Sequence, residues 1–161
     1  MKPMQISIAP IGIVHSSFAG PQGMPIQAAF SDAAGTLEIY PEYVDGLRDI
    51  EGFDYLILLY RFHLANKEPL RVTPFLDDEP RGVFATRAPT RPNRIGLSVV
   101  RLLNVTGNVL AIGNVDIVSG TPVIDIKPYV PAFDSRVECR IGWLAKKLGS
   151  AAGMRADKRM E

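Results

Sequence analysis

The second half of the chain contains strand-like runs that follow one another closely. β-branched and apolar residues are concentrated in four such runs, at 82–87, 97–106, 109–118 and 122–127. The turn Thr106-Gly107-Asn108 between the second and third runs is typical of a β-hairpin connection. Serial strands with few helices between them favour an all-β barrel or a sheet-rich α+β domain, and they argue against a doubly wound parallel sheet.

The first half of the chain adds further strand-like segments and one short helix. The strand-like segments lie at 5–14, which is interrupted at Pro10, at 36–40 and at 53–64. The last of these is nearly continuously apolar and aromatic, which predicts a buried central strand, although periodicity alone does not exclude a helix. Residues 41–52 predict one short helix, because Pro41 suits a first helical position and Gly52 a C-terminal stop.

The end of the chain predicts a helix followed by a tail. Residues 135–138, SRVE, match a capping box. The apolar residues that continue this segment have helical spacing: Val137, Ile141, Leu144 and Leu148. Residues 149–161 are small and polar, which predicts fraying. We therefore expect a barrel or sheet domain over residues 1–135 and a C-terminal helix with a flexible tail over 136–161.

Length and charge exclude several classes of protein. A chain of 161 residues suggests one domain with a substantial core, and a formal net charge of +1 provides no overall basic field for nucleic acid. Cys139 is the single cysteine, so no intramolecular disulfide is possible. The N-terminal segment lacks the apolar core of a signal peptide, and no apolar run reaches about 18 residues. We expect a cytoplasmic protein without a membrane span.

Common signatures of metal and nucleotide chemistry are missing from the sequence. His15, His63 and Cys139 do not have the spacing of a zinc site, so no metal is expected. There is no Gly-x-Ser-x-Gly elbow, no phosphate loop of the Walker type and no Gly-x-Gly-x-x-Gly fingerprint. His63 ends an apolar strand, where a histidine hydrogen-bonded at the strand end is commoner than a functional group.

Residues 121–129, TPVIDIKPY, place charges within an apolar strand. Strand alternation predicts that Val123, Asp125 and Lys127 share one face. Asp125 and Lys127 can form an ion pair on an exposed face, or both can face a pocket, and the residues alone leave both possibilities open. The preceding turn, residues 119–122, can be a plain turn or can hold a ligand with its backbone groups.

Residues 82–98, GVFATRAPTRPNRIGLS, combine prolines with several arginines, and we call them the arginine loop. Prolines reduce the entropy that is lost when a partner binds, and arginines offer planar donors to phosphate or carboxylate groups. Such a loop suits an RNA backbone. It equally suits a solvated surface on which the arginines pair with the acidic residues 77–79, and the sequence does not decide between the two.

The arginine loop and residues 116–131, DIVSGTPVIDIKPYVP, resemble the TsaA-like (YaeB-like) family. Smaller matches occur at residues 11–14 with Ser16, at Pro25 and Gln27, at Gly46-Leu47, at Phe53 and at Phe62-His63. The resemblance covers about residues 6–135. It implies a small closed β-barrel and a homodimer with S-adenosylmethionine sites near the subunit contact. It also implies methylation of N6 of the threonylcarbamoyl-modified adenosine beside the tRNA anticodon.

The resemblance also implies where the ligands bind. The cofactor residues would be Pro25, Ile26, Gln27, His63, Leu64, Arg87, Leu97, Ser119, Gly120, Thr121 and Pro122. Arg91 and Arg94 would contact the tRNA substrate. Asp125 is the candidate for orienting the attacking nitrogen or accepting its proton, with Lys127 or Tyr129 nearby.

Residues at three of these positions, or beside them, depart from the family's usual sequence. Ile26 stands where the family has arginine in Pro-Arg-Gln, and Leu64 where it has glutamine in His-Gln. Arg94 stands where it has the second proline of Arg-Pro-Asn-Pro-Ile-Gly. Two alternatives to the implied enzyme follow: a regulatory module that binds S-adenosylmethionine without catalysis, and a methyltransferase with a different acceptor.

Overall fold

A computed structural model describes residues 3–160, and its main element is a closed antiparallel barrel. The strands within these residues are β1 (Gly12–Ser16), β2 (Ala34–Ile39), β3 (Tyr55–Arg61), β4 (Arg71–Val72), β5 (Arg81–Gly82), β6 (Ile95–Thr106), β7 (Val109–Gly113) and β8 (Pro122–Pro128). The barrel order is β1-β2-β7-β6-β3-β8, and β4 pairs with β5 in a separate small sheet. The predicted fold class, a small closed β-barrel, is confirmed.

Alternate residues of the strands fill the barrel interior. In β3, Leu56, Leu58 and Tyr60 are buried between more exposed neighbours, as the two-residue period of a strand requires. They belong to one apolar core with Leu37 of β2 and Leu110 of β7, both of which are completely buried. Burial of such side chains contributes about 1.5–3 kcal/mol each, so this core provides most of the barrel's stability.

The apolar segment 53–64 forms the central strand that the sequence predicted. β3 pairs with β6 on one side and with β8 on the other. The first strand is displaced from its predicted position at 5–14, because residues 3–11 have no regular secondary structure. Pro10 has no N–H to donate, and pairing begins at the next residue, where the Ile11 N–H donates to the Val123 carbonyl at 2.8 Å.

The strand predicted at 82–87 is wrong for most of its length. The pairing of β5 ends at Gly82, and Val83–Ala85 form a 3₁₀ helix instead. The Thr86 hydroxyl closes this turn by donating to the Val83 carbonyl at 2.8 Å. The turn directs Val83 into a second apolar cluster, which also contains Val72, Ala88 and Met160. Burial in this cluster outweighs the strand preference of the sequence.

The single helix predicted over 41–52 is replaced by two short ones. Pro41–Leu47 and Ile50–Gly52 are both 3₁₀ helices. Asp49 between them has a φ of +67°, in the left-handed region, which a continuous right-handed helix cannot include.

The C-terminal helix predicted from residue 135 onward does not form. Helix α1 (Pro131–Asp134) ends before Ser135, which is extended. The chain then forms 3₁₀ segments at Gly142–Lys146, Leu148–Gly153 and Lys158–Met160. Gly142 has a φ of +59°, which interrupts any helix started by the capping box.

The tail packs against the barrel loops rather than fraying. Ala151 and Met160 are buried. Ala156 forms two backbone hydrogen bonds of 2.9 Å, one from the N–H of Gly23 and one to the carbonyl of Met24. The division of the chain into domains at residue 135 stays a prediction.

The topology collects the long connections at one end of the barrel. Strands β1, β3 and β7 end there, and β2, β6 and β8 begin there. Residues 17–33, 62–94 and 114–121 therefore lie together, and we call this the loop end. The opposite end carries residues 40–54 and the β6–β7 turn, and we call it the hairpin end. Within residues 3–160, no helix is long and apolar enough to cross a membrane.

Candidate functional site

The loop end brings together the residues for which a cofactor role was predicted. Pro25, Ile26 and Gln27 lie on its first loop. The second loop carries His63, Leu64 and Arg87, and the third carries Ser119, Gly120 and Thr121. Leu97 lies near the start of β6, and Pro122 is the first residue of β8. These residues are separated by up to about a hundred positions in sequence, and the antiparallel barrel is what makes them neighbours.

Arg87 and Gln27 join two of the loops directly. The Arg87 Nη1 donates to the Gln27 Oε1 at 3.1 Å, across 60 residues of sequence. The contact is exposed, so both side chains are accessible to a ligand. A guanidinium and an amide at this position offer donors for carboxylate or hydroxyl groups.

His63 and the turn at 119–122 form the second part of the loop end. The Thr121 hydroxyl donates to the Val118 carbonyl at 2.7 Å, so its oxygen accepts from the His63 Nδ1 at 3.2 Å. This assigns the ring proton to Nδ1 and leaves Nε2 as an acceptor. Desolvation by burial lowers the pKa of His63, which favours the neutral ring. His63 lies two residues beyond the end of β3, is held by the hydrogen bond to Thr121, and has a lone pair on Nε2 that can accept from a ligand.

The backbone of the same turn is held in one conformation. Gly120 has a φ of +86°, and a Cβ built there would be 3.8 Å from the His63 Nε2. The Gly120 N–H donates to the Val14 carbonyl, and the Ser119 N–H donates to the Phe18 carbonyl, both at 2.8 Å. Glycine suits this position because its φ is strained for other residues.

Three polar side chains that the sequence did not single out are linked by hydrogen bonds beneath these loops. The Tyr60 hydroxyl lies 2.9 Å from the Ser98 Oγ, which donates to the Asp116 Oδ1 at 2.6 Å. Burial raises the pKa of Asp116 to about 6. Several weaker effects lower this pKa: the hydrogen bonds that Asp116 accepts from Ser98, from its own N–H and from the Ala28 N–H, and the positive charge of Arg87. Its signal in the sequence is a lone aspartate between Val115 and Ile117, both of which are buried.

The arginines that were expected to contact the substrate are hydrogen-bonded to other protein groups. The Arg91 Nη1 donates to the Thr86 carbonyl at 2.8 Å. The Arg94 Nη2 pairs with the Glu68 Oε1 at 2.9 Å. Neither arginine is paired with residues 77–79 in this structure, whereas Arg81, just before the loop, pairs with Asp77 at 2.6 Å.

The backbone conformation at position 94 explains why this chain has arginine there, where the family usually has proline. Its φ is +53°, and that of Asn93 is +63°. Proline is confined to a φ near −65°, so the turn adopted here excludes proline at position 94. The residue change and the backbone conformation therefore belong together.

Asp125, Lys127 and Tyr129 lie on β8 and just beyond it, running towards the hairpin end. The Lys127 Nζ pairs with the Asp125 Oδ2 at 2.7 Å, and both side chains are about half exposed. The Tyr129 N–H donates to the Tyr55 carbonyl at 3.0 Å, and their rings contact edge-on. At about 3.3 Å per residue, Asp125 lies about 13 Å along the strand from Thr121. A single subunit does not bring these three residues into the cluster at the loop end.

The predicted common face of Val123, Asp125 and Lys127 is wrong. Val123 is completely buried in the core, whereas Asp125 and Lys127 point outward. Leu59 of β3 lies opposite Asp125, but the next residue, Tyr60, lies opposite Val123. Ile124 of β8 is therefore an extra residue with no partner in β3. A β-bulge of this kind reverses the alternation beyond it.

The C-terminal segment contacts loops on both sides of the cluster. The Trp143 Nε1 donates to the Ala85 carbonyl at 2.8 Å, next to the start of the arginine loop. The Arg159 Nη1 donates to the Pro74 carbonyl at 3.0 Å. Together with the pairing of Ala156 to the first loop, these contacts limit the relative motion of the first and second loops.

A small closed antiparallel barrel whose loops gather polar residues at one end defines a ligand-binding barrel, distinct from the α/β nucleotide-binding folds. Residues 13–135 match the family model of the tRNA-methyltransferase O N-terminal domain. The chain therefore belongs to this family, which agrees with the resemblance found in the sequence.

Several known proteins are similar to this chain. It is 53% identical over 158 residues to a probable S-adenosyl-L-methionine-binding protein of Pyrococcus abyssi, covering 98% of this chain and 86% of that protein. It is 38% identical over 136 residues to the tRNA (adenine(37)-N6)-methyltransferase of Escherichia coli, covering 78% of this chain and 58% of that enzyme. The crystal structure of TrmO from Pseudomonas aeruginosa superposes with a TM-score of 0.75 at 39% identity, over 88% of this chain and 62% of the solved one. The chain thus spans about three fifths of the Escherichia coli enzyme and of the solved TrmO chain.

Proposed function

We propose that this chain is an S-adenosylmethionine-dependent methyltransferase that acts on N6 of adenosine 37 in tRNA. The observation that carries the proposal is the convergence of residues 25–27, His63, Arg87 and residues 119–122 at the loop end. The names of the Pyrococcus and Escherichia relatives support the cofactor and the reaction respectively. We further propose the threonylcarbamoyl-modified adenosine as the acceptor, and the cytoplasm, where tRNA is found, as the location.

The donors and acceptors at the loop end fit S-adenosylmethionine. Arg87 and Gln27 can hold its carboxylate or ribose hydroxyls, and His63 presents an acceptor at Nε2. Leu64 and Leu97 are 53% and 45% exposed, so they provide apolar surface for the adenine ring. The nearby Asp116 suits a cofactor that carries a net positive charge. Ile26, in place of arginine, removes one donor from this set.

When bound, S-adenosylmethionine supplies the methyl group that the adenine nitrogen attacks in line. The residues of this chain would hold the two reactants in that alignment, and alignment can contribute about 7–11 kcal/mol. The exocyclic nitrogen must also lose a proton. We propose that Asp125 accepts or orients that proton, with Lys127 fixing its carboxylate at 2.7 Å.

A homodimer would connect Asp125 with the cofactor residues. On the outer face of the barrel, Leu97 of β6 lies opposite Leu59 of β3, which lies opposite Asp125 of β8. With strands about 4.8 Å apart, Asp125 is about 10 Å from Leu97 across this face. A second copy packed on the face would cover the exposed Leu97 and bring Asp125 beside a neighbouring site. A monomer in sedimentation velocity at micromolar concentration would contradict this arrangement.

The departures at Ile26, Leu64 and Arg94 support one alternative function. The Pyrococcus relative is named only for binding the cofactor, and a barrel that binds S-adenosylmethionine without transferring methyl groups would serve as a regulatory module. A methyltransferase with a different acceptor is the second alternative.

One pair of measurements separates these functions. Calorimetric titration with S-adenosylmethionine is followed by a methyl-transfer assay on bulk tRNA from cells that lack the modification enzyme. Binding and transfer are expected. Binding without transfer would favour the regulatory module or another acceptor, and the absence of binding would contradict all three.

A further inference from the structure

Asp116 is the point at which four elements of the loop end meet. Ser98 of β6 donates to its carboxylate, and Tyr60 of β3 follows Ser98 in the same chain of hydrogen bonds. The Ala28 N–H, on the first loop, also donates to the carboxyl group. Arg87, on the arginine loop, is close enough for its charge to favour the ionised form.

The direction of the hydrogen bonds makes Asp116 the terminal acceptor. An ionised carboxylate can only accept, so Ser98 uses its proton for Asp116 and its oxygen accepts from Tyr60. Burial and the negative charge of Asp116 both raise the pKa of Tyr60, so the phenol keeps its proton. The hydrogen bonds from Ser98 and Ala28 and the attraction to Arg87 are strongest when Asp116 carries its charge.

The residues touched by Asp116 adjoin those proposed to hold the cofactor. Ala28 directly follows Gln27, and Gln27 accepts the hydrogen bond from Arg87 at 3.1 Å. One carboxylate thus anchors the backbone next to Gln27 and attracts the guanidinium that Gln27 binds. A neutral Asp116 would keep neither the full hydrogen bond from Ala28 nor the attraction to Arg87.

We propose that Asp116 is a positioning residue whose negative charge holds Gln27 and Arg87 in the arrangement that binds the cofactor. This inference rests on the proposed cofactor role of the loop end, and it adds a residue that does not itself need to touch the ligand. It makes cofactor binding dependent on the ionisation of one partly buried side chain.

The pH dependence follows from the groups that face Asp116. Arg87 is the charged neighbour and Tyr60 is the titratable one, while Ser98 and Ala28 are neutral donors. Because burial raises the pKa of Asp116 to about 6, about one carboxyl in ten is ionised at pH 5 and nearly all are ionised at pH 7.5. Affinity for the cofactor should therefore fall about tenfold from pH 7.5 to pH 5.

The raised pKa also separates a positioning role from a structural one. A carboxyl group that binds its proton more tightly in the folded state contributes stability at low pH, and this contribution is lost as pH rises from about 4 to about 6. At pH 7.5 the buried charge is therefore unfavourable to folding. Asp116→Asn should keep or raise the unfolding temperature at pH 7.5 while weakening cofactor binding.

The test measures S-adenosylmethionine dissociation constants by calorimetry between pH 5 and pH 7.5. Asp116→Asn should bind at least tenfold more weakly than the unchanged protein at pH 7.5 and should lose the part of the pH profile centred near 6. Ser98→Ala removes a hydrogen bond that lowers the pKa of Asp116, so its inflection should move to higher pH. Asp45→Asn, at a fully exposed carboxylate on the hairpin end, should match the unchanged protein.

Parallel pH profiles for the unchanged protein and Asp116→Asn would overturn the proposal. So would weaker binding accompanied by an unfolding temperature several degrees lower at pH 7.5, since Asp116 would then be structural. If Asp116→Asn does not fold, the Ser98→Ala variant decides. An inflection of its cofactor-binding profile at the same pH as in the unchanged protein would contradict the proposal.

A ligand-free measurement distinguishes failure of this proposal from failure of the proposed function. A local opening that breaks the Ala28 hydrogen bond while Asp116 stays enclosed by β3 and β6 is opposed by the charge of Asp116. Hydrogen exchange of peptides from residues 17–33, corrected for the intrinsic rate, should therefore show less protection at pH 5 than at pH 7.5. This difference should disappear in Asp116→Asn. If the difference is present but S-adenosylmethionine does not bind, the cofactor assignment fails and the anchoring role stands. If it is absent, the anchoring role fails.

Discussion

The guanidinium of Arg87 donates to the side-chain amide of Gln27 at 3.1 Å, and this contact joins two loops that are 60 residues apart. Each residue was implicated separately by the resemblance of its local sequence to a family. Their hydrogen bond, together with Asp116 beneath them, links the first loop, the arginine loop and the third loop.

Arg87→Gln should weaken S-adenosylmethionine binding by about tenfold or more. A charged hydrogen-bond donor contributes about 1.5–3 kcal/mol, and the substitution leaves Gln27 without its partner. Calorimetry measures the change. Arg48→Gln, with a side chain 78% exposed on the hairpin end, is the matched control and should bind normally. Unchanged binding by Arg87→Gln would remove this residue from the cofactor site.

Gly96→Ala should lower the free energy of unfolding by about 1–3 kcal/mol, because overpacking displaces neighbouring rings. A Cβ at this position would lie 2.6 Å from the Tyr60 Cζ and 2.9 Å from the Phe62 Cζ. Urea denaturation measures the loss. Gly46→Ala meets no atom within 4 Å and should change stability by less than about 0.5 kcal/mol. Equal stability of the two variants would show that the rings can move freely.

Asp125→Asn should reduce the turnover number about a hundredfold or more while leaving cofactor affinity unchanged, as expected for a proton acceptor. Stability should hardly change, because an exposed ion pair such as that with Lys127 contributes about 0–1 kcal/mol. Single-turnover methyl transfer to tRNA and calorimetry are the two measurements. Lys127→Gln removes the ion pair but keeps the carboxylate, so it should lower turnover less than Asp125→Asn does. Full turnover in Asp125→Asn would rule out the proton-acceptor role.

Replacing both Arg91 and Arg94 with glutamine should weaken tRNA binding and make it less dependent on salt. Each phosphate contact contributes about −0.7 to −0.9 to the slope of log affinity against log salt concentration, so two lost contacts should change the slope by up to about 2. Filter binding at several salt concentrations gives the slope, with the unchanged protein as the reference. The same slope in the double variant as in the reference would exclude the loop as a phosphate contact.

Acid should destabilise the protein partly through Asp77. Hydrogen bonds from Arg81, opposed by desolvation, hold the pKa of Asp77 at about 2, below its ordinary value of 3.8. A lowered carboxyl pKa contributes stability above about pH 4, and that contribution is lost as pH falls towards 2. Asp77→Asn should therefore unfold at a lower temperature than the unchanged protein at pH 6, and the difference should narrow towards pH 2. Thermal unfolding between these values measures it, and a constant difference would contradict the assignment.

The sheet-rich character of the fold was predictable from the amino-acid sequence. Serial strand-like runs with few helices between them limited the fold to an all-β barrel or a sheet-rich domain, although the apolar run at 53–64 could by periodicity alone have been a buried helix. The local spacing of Asp125 and Lys127 likewise made their ion pair one of two possibilities, and the structure has the pair. Motifs along the chain also singled out the cofactor candidates, which lie at the loop end or at the starts of the strands that follow it.

Contacts between distant segments account for the features that local sequence patterns did not predict. The bulge at Ile124 arises from pairing with β3, and it separates Val123 from Asp125, which no local alternation rule can foresee. Burial of Ala151 and Met160 against the barrel loops holds a C-terminal segment that local spacing had predicted as helix and tail. Asp116 meets Ser98, Ala28 and Arg87 only because the barrel closes, and burial in that closed end raises its pKa.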